Sequence, residues 1–282
     1  MPLARPLRSA SRLRSSGLPA SLPAAAGQRI IVALDVPTEA EALALVERLG
    51  GRVGMFKVGS QLFAAAGPGI VRRLVAMGER VFLDLKFHDI PHVVAAACAQ
   101  AAELGVSLVD VHASGGLATL RAARKALDKV APHPSPGSGR EPRFGDELPG
   151  LGAGRRPRLL AVTVLTSLDQ RQLKAIGWRG TPQANVLRLA RLAQRAGCDG
   201  VVAAPTEIAA IRRACGSDFL IVTPGIHLPG HKKMSDQARV ATPAAALRAG
   251  ASYIVLGRAL TQSRNPARTL GLLLEDLNQV LS

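Results

Sequence analysis

A chain of 282 residues, 48% apolar and 20% charged, allows one large domain or two ordinary ones and can bury a sizeable core. No apolar run approaches the roughly 18 residues of a membrane span, so nothing argues for a transmembrane protein. Three cysteines (Cys98, Cys198, Cys215) without CxxC spacing fit a reducing cytoplasm. A net charge of +16 admits nucleic acid or an anionic ligand as partner. The basic residues are spread along the helices and only 3% of residues are aromatic, so a small anionic ligand ranks above nucleic acid.

Residues 1–28 carry Arg5, Arg8, Arg12 and Arg14 among Ser, Ala and Pro, with no acid. The composition is similar to an organelle transit peptide, but nothing else in the chain points to an organelle, and a disordered N-terminal extension is the preferred reading. From residue 29 onward one phrase repeats. An apolar run of strand length is followed by a helical stretch that closes on Gly. The expected strands are "RIIVALD", "VGMFKVG", "RVFLDLK", "SLVDVHA", "LLAVTV", "DGVVAA", "DFLIVT" and "SYIVLG". Gly50, Gly78, Gly105, Gly197, Gly216 and Gly250 fit the left-handed position that ends a helix. Between the fourth and fifth strands, residues 132–158 are dense in Pro and Gly and read as a long surface insert.

Strands that are apolar throughout, rather than alternating, are those of a parallel sheet covered on both faces. Eight βα units over residues 29–282 match a single-domain (βα)8 TIM barrel, whose usual length is about 250 residues. A doubly wound open sheet competes, but strand one ends "VALDVPT", with no G-x-G-x-x-G after it.

A TIM barrel builds its site at the C-terminal ends of its strands. Those ends carry Asp35, Lys57, Asp84 with Lys86, Asp110 with His112, Thr166, the turn Pro224-Gly225, and Gly257-Arg258. Side chains alternate along a strand, so Asp84 and Lys86 both point into the mouth while Leu83 and Leu85 face the helices. One such pair could simply close the barrel as an ion pair. Four charges of alternating sign on three consecutive strands point instead to a working array, because each unpaired member would be costly. The loops after strands seven and eight often hold phosphate in barrels. Here Gly257 lets backbone N–H groups approach an anion, Arg258 offers a forked cation, and the long loop after strand seven has the character of a lid. No HExxH, GxSxG or Cys/His cluster occurs, and the six histidines are scattered.

The segments "ALD", "FKVG", "DLKFHDIP", "VHASGG", "VTVLTS", "VTPGI…DQ" and "GR" occur in the order found in the orotidine 5′-phosphate decarboxylase family, which the chain resembles over about residues 29–280. The resemblance implies decarboxylation of orotidine 5′-phosphate to UMP with neither metal nor organic cofactor. It implies that Lys86 protonates C6 of the pyrimidine, that Asp84 faces the substrate carboxylate, and that Lys57 and Asp89 complete the array. Asp89 would enter the site of a partner subunit, making the enzyme a homodimer with shared sites. Asp35 and Lys57 match ribose contacts, Thr166 a pyrimidine contact, and Gln237, Gly257 and Arg258 the phosphate grip. Ile90, Pro224 and His227 belong with the substrate-binding set. The chain departs from the family pattern at three places: "DIPHV" puts His92 and Val93 where an amide and a hydroxyl are usual, His227 replaces an arginine, and Asp110 stands where an amide is common.

Two other readings remain at this point. One is a Mg2+-dependent sugar-phosphate decarboxylase or aldolase of the same barrel superfamily, although Lys57 stands where such a metal site would want a carboxylate. The other is a non-catalytic basic barrel that binds nucleic acid.

Overall fold

The computed structural model describes residues 26–130, 156–228 and 239–281. Most of the expected extension, nearly all of the insert, and Gln237 lie outside the described residues. Ala26 and Gly27 are buried, and Gly27–Arg29 form a single 3-10 turn at the foot of the first strand.

Eight strands follow: β1 (Ile30–Ala33), β2 (Met55–Gly59), β3 (Val81–Phe87), β4 (Leu108–His112), β5 (Arg158–Val162), β6 (Gly200–Val202), β7 (Leu220–Thr223) and β8 (Tyr253–Leu256). Each pairs in parallel with the next, and β8 pairs with β1, closing the barrel. The helices between and after them are α1 (Glu39–Leu49), α2 (Ser60–Ala76), α3 (Pro91–Glu103), α4 (Gly116–Lys129), α5 (Gln170–Ala175), α6 (Pro182–Ala196), α7 (Ile208–Cys215), α8 (Pro243–Arg248), α9 (Arg258–Thr261) and α10 (Pro266–Leu281). The expected TIM barrel is the observed fold.

Local chemistry explains where the helices start. Thr38, Thr181 and Thr242 each cap a helix by accepting a backbone N–H from three residues on, and Asp169 and Gln172 form a reciprocal capping box at α5. Pro91, Pro182 and Pro243 occupy first helical positions, where the missing N–H costs nothing. Five of the six glycines expected to end helices have positive φ; at the first, the left-handed residue is Gly51 and Gly50 is extended. The helix gives way to extended backbone at Gly50, so the reversal of the chain comes one residue later.

Two apolar shells hold the barrel. The larger lies between strands and helices and includes Phe56, Val58, Leu83, Val109 and Val111. The smaller fills the barrel with Ile31, Met55, Phe82, Leu108, Leu160, Val222 and Tyr253. Alternation therefore assigns every second residue to the barrel interior, and that side turns polar at the level above Met55, Phe82 and Leu108. Replacing the fully buried Phe56 removes a large side chain that neighbouring helices cannot refill. Phe56→Ala is expected to lower unfolding free energy by about 3–5 kcal/mol in urea titration, and a loss below about 1 kcal/mol would contradict this packing.

Candidate active site

Two residues beyond Met55 on β2 comes Lys57; two beyond Phe82 on β3 comes Asp84; two beyond Leu108 on β4 comes Asp110. All three side chains are buried. Lys57 Nζ lies 3.0 Å from Asp35 Oδ1 and 2.9 Å from Asp84 Oδ2, and Lys86 Nζ lies 2.5 Å from Asp84 Oδ1. The four charges thus form a continuous chain, Asp35–Lys57–Asp84–Lys86, across the mouth.

Asp84 sits at the centre with each oxygen held by a different ammonium. Burial alone would push its carboxyl up, but Lys57, the neighbouring Asp110 and Lys86 together hold it below the usual aspartate range. Burial likewise pulls Lys57 down, while Asp84 and Asp35 outweigh it and hold the ammonium above the usual lysine range. Breaking a buried pair by deleting one partner typically costs about 3–5 kcal/mol, because the survivor is left uncompensated. Asp84 is therefore a fixed negative charge with no oxygen to spare as a base.

The backbone that presents Lys86 is unusual. Lys86 has φ 49°, the one positive φ outside glycine among the described residues, and the β3–β4 register shifts between Leu83 and Phe87. A non-glycine residue there costs roughly 1–2 kcal/mol, so surrounding contacts must hold it. One of them is Asp110, whose Oδ1 accepts the Lys86 N–H at 2.8 Å.

The array borders a cavity of about 280 Å3 at the C-terminal end of the barrel, lined by Asp35, Lys57, Asp84, Lys86, Thr166, Pro224, Gly257 and Arg258, with Phe82, Val162, Val202 and Val255 among its apolar walls. Gly257 precedes α9, and a Cβ built there would meet no protein atom within 4 Å, so the space beside its backbone is open. Among the described residues no group of three or more His, Cys, Asp or Glu could hold a metal ion, and no helix is long and apolar enough to cross a membrane.

A family model described as "Orotidine 5'-phosphate decarboxylase / HUMPS family" matches residues 28–271. The chain belongs to this family. It is 47% identical over 252 residues to "Orotidine 5'-phosphate decarboxylase" from Nitrosococcus oceani, covering 89% of this chain and 98% of that one. It is 48% identical over 242 residues to the protein of the same name from Haemophilus influenzae (strain PittEE), covering 86% and 95%. The solved structure of orotidine 5′-phosphate decarboxylase from Lactobacillus acidophilus superposes with a TM-score of 0.71 at 33% identity, covering 88% of this chain and 98% of that one.

Of the residues that the resemblance to this decarboxylase family singled out, eight line one cavity. Asp89 and Ile90 do not: both are exposed on the rim, where the Ile90 N–H donates to Asp89 Oδ1 at 2.6 Å just before Pro91 opens α3. His227 is half-buried, and its N–H is tied to Ala241 O at 2.9 Å. His112 stacks at a tilt on His88, ring centroids 5.1 Å apart, and is not among the residues lining the cavity. Burial, His88 and Lys86 hold its imidazole below the usual histidine range. The sequence places Asp110 among the polar strand ends and marks it as a departure from the family pattern; the signal for more was its inward position, in register with Lys57 and Asp84.

The direction of the Asp84 shift gives a testable consequence. A carboxyl held below 3.8 in the folded state contributes stability that is complete above that pH and is lost as pH falls through the folded value. Urea midpoints for the wild type and Asp84→Asn should therefore keep their separation down to about pH 4 and converge only as pH falls further. A wild-type advantage that grows on acidification would contradict the ionised, doubly paired state.

Proposed function

We propose that this chain decarboxylates orotidine 5′-phosphate to UMP, using no metal or organic cofactor, with Lys86 as the proton donor to C6. The observation that carries the proposal is the Lys57–Asp84–Lys86 array on the wall of a cavity whose rim includes Gly257 and Arg258. The family model's description names HUMPS beside the decarboxylase, but the relatives at 47% and 48% identity bear the decarboxylase name. Between Asp35 and Asp84 stands the Lys57 ammonium, which supports the metal-free reading of the site.

The geometry suits the chemistry. Losing carbon dioxide from C6 leaves an electron pair on a carbon with no cofactor to receive it. A cation fixed beside that carbon stabilises the developing charge, and preorganised charge is usually the largest single catalytic contribution. The C6–carboxylate bond breaks, carbon dioxide departs, and the pair at C6 takes a proton from the Lys86 ammonium. The resulting amine recovers its proton from water. Asp84, fixed and ionised, faces the substrate carboxylate; Asp35 and Lys57 meet the ribose hydroxyls, and Thr166 the pyrimidine. Gln237, Gly257, Arg258 and His227 hold the phosphate, and Pro224 and Ile90 shape the pocket. Phosphate binding remote from C6 supplies energy to hold the carboxylates together.

Asp89 completes the array in a second subunit. Supporting this, it is exposed, it does not line the cavity of its own chain, and the neighbouring Ile90 and Val93 are 56% and 38% exposed apolar side chains on the same rim. The proposal takes residues 29–282 as one catalytic domain preceded by an extension. The cytoplasm is its proposed location, supported by three buried free thiols.

Purified protein should consume orotidylate, followed by absorbance, with activity unaffected by EDTA. Lys86→Ala should lower kcat by about a thousandfold or more, since both cation and proton donor are lost. An inactive wild type, an equally active variant, or activity restored by Mg2+ after EDTA would overturn the reading. For the shared site, mixing inactive Asp89→Asn and Lys86→Ala subunits should restore up to about a quarter of wild-type activity, because one hybrid site in each mixed dimer is intact. No recovery despite demonstrated subunit exchange would refute sharing.

A further inference from the structure

Asp110 is fully buried, and it makes no ion pair with either lysine that holds Asp84. Its two oxygens have different surroundings. Oδ1 accepts the backbone N–H of Lys86, while Oδ2 is enclosed and finds no donor. On the adjacent strand, one step beyond the Leu83–Val109 pair, the inward side chain next to Asp110 is Asp84, itself an acceptor occupied by two ammoniums. Two acceptors hydrogen-bond only when one carries a proton, and like charges this close do not both ionise. Asp84 has the cations, so the proton belongs on Asp110.

The groups facing Asp110 agree. On β3 these are Asp84 and Lys86; on β5 its register partner is the apolar Leu160; on α3 the nearest titratable group is the Cys98 thiol, which burial above all pushes up to about 12 and so keeps uncharged. Burial and the neighbouring Asp84 carboxylate push Asp110 well above the usual aspartate range, and Lys86 offsets this only in part.

We propose that Asp110 is a positioning residue that works as a neutral carboxylic acid: Oδ1 fixes the left-handed turn presenting Lys86, and the Oδ2 hydroxyl donates to Asp84. It thus orients the ammonium and the carboxylate at once. It also adds a donor to Asp84 without adding charge. Asp35, Lys57, Asp84 and Lys86 together are neutral; an ionised Asp110 would leave the array net negative toward an anionic substrate. The kinetic part of this inference rests on the decarboxylase reading, but the state of the carboxyl does not.

The decisive variant is Asp110→Asn, whose amide reproduces the acceptor and the donor but cannot titrate. It should keep kcat and KM within about threefold of wild type, whereas Asp110→Ala should lose about a hundredfold in kcat with KM changed less than about fivefold. Infrared difference spectra, wild type minus Asp110→Asn at pH 7, should show the C=O stretch of a protonated carboxyl. A buried neutral acid also contributes stability that is complete below 3.8 and lost as pH rises through its folded value, so wild type should weaken relative to Asp110→Asn as pH rises. No protonated-carboxyl band, or an Asn variant as impaired as the Ala variant, would overturn the proposal. If wild type does not turn over orotidylate, the functional reading fails while the infrared and stability measurements still decide the state of Asp110. Should Asp110→Ala fail to fold, Asp110→Asn and the infrared spectrum remain sufficient.

Discussion

The buried carboxylate of Asp84 and the two ammoniums that hold it constrain the rest of the site. Taking an isolated charge into a barrel costs several kcal/mol, which only close, well-oriented partners repay. Lys57 from the neighbouring strand and Lys86 from the same strand are those partners. Parallel pairing puts Gly59 beside Asp84 and Ala33 beside Lys57, so Lys57, Asp84 and Lys86 are placed by two adjacent strands and Asp35 joins them from just past the end of β1. Both oxygens of Asp84 are taken, and Lys86 reaches the cavity with the larger exposure, its side chain 35% exposed against 10% for Lys57, which supports its proposed role as proton donor.

The same constraint accounts for the local distortion of β3. A regular strand would present Lys86 without a register shift, yet the shift between Leu83 and Phe87 leaves Lys86 with positive φ. Strain of this kind persists where surrounding contacts over-determine it. The ion pair to Asp84 fixes the side chain and the Asp110 acceptor fixes the backbone. The strand therefore trades ladder regularity for a fixed ammonium, a form of preorganisation that flexible lysines on loops do not provide.

Much of this was legible in the sequence. Eight apolar runs and the glycines that follow helices obey local rules, and they specify the barrel. Period-two alternation placed Asp84 and Lys86 on the same side, as observed. What alternation could not give was the extra turn of backbone at Lys86, because a bulge depends on which strand lies opposite. The state of Asp110 was hidden for a similar reason: it is decided by Asp84 and Lys86, more than 20 residues earlier and on another strand. The shift of the left-handed turn from Gly50 to Gly51 is a one-residue ambiguity inherent in adjacent glycines. The assignment of Asp89 to a neighbour came from family resemblance alone, since nothing local marks an exposed aspartate before a proline as part of a site.

The account stands or falls on Asp84 being ionised between two cations. Its carboxyl carbon can be followed directly by 13C NMR in the full chain, with Asp84→Asn identifying the resonance. The signal should remain that of a carboxylate as pH is lowered through 3.8 and titrate only below it. A midpoint at or above 3.8 would mean that the lysines do not outweigh burial, and the charge array as described would be wrong.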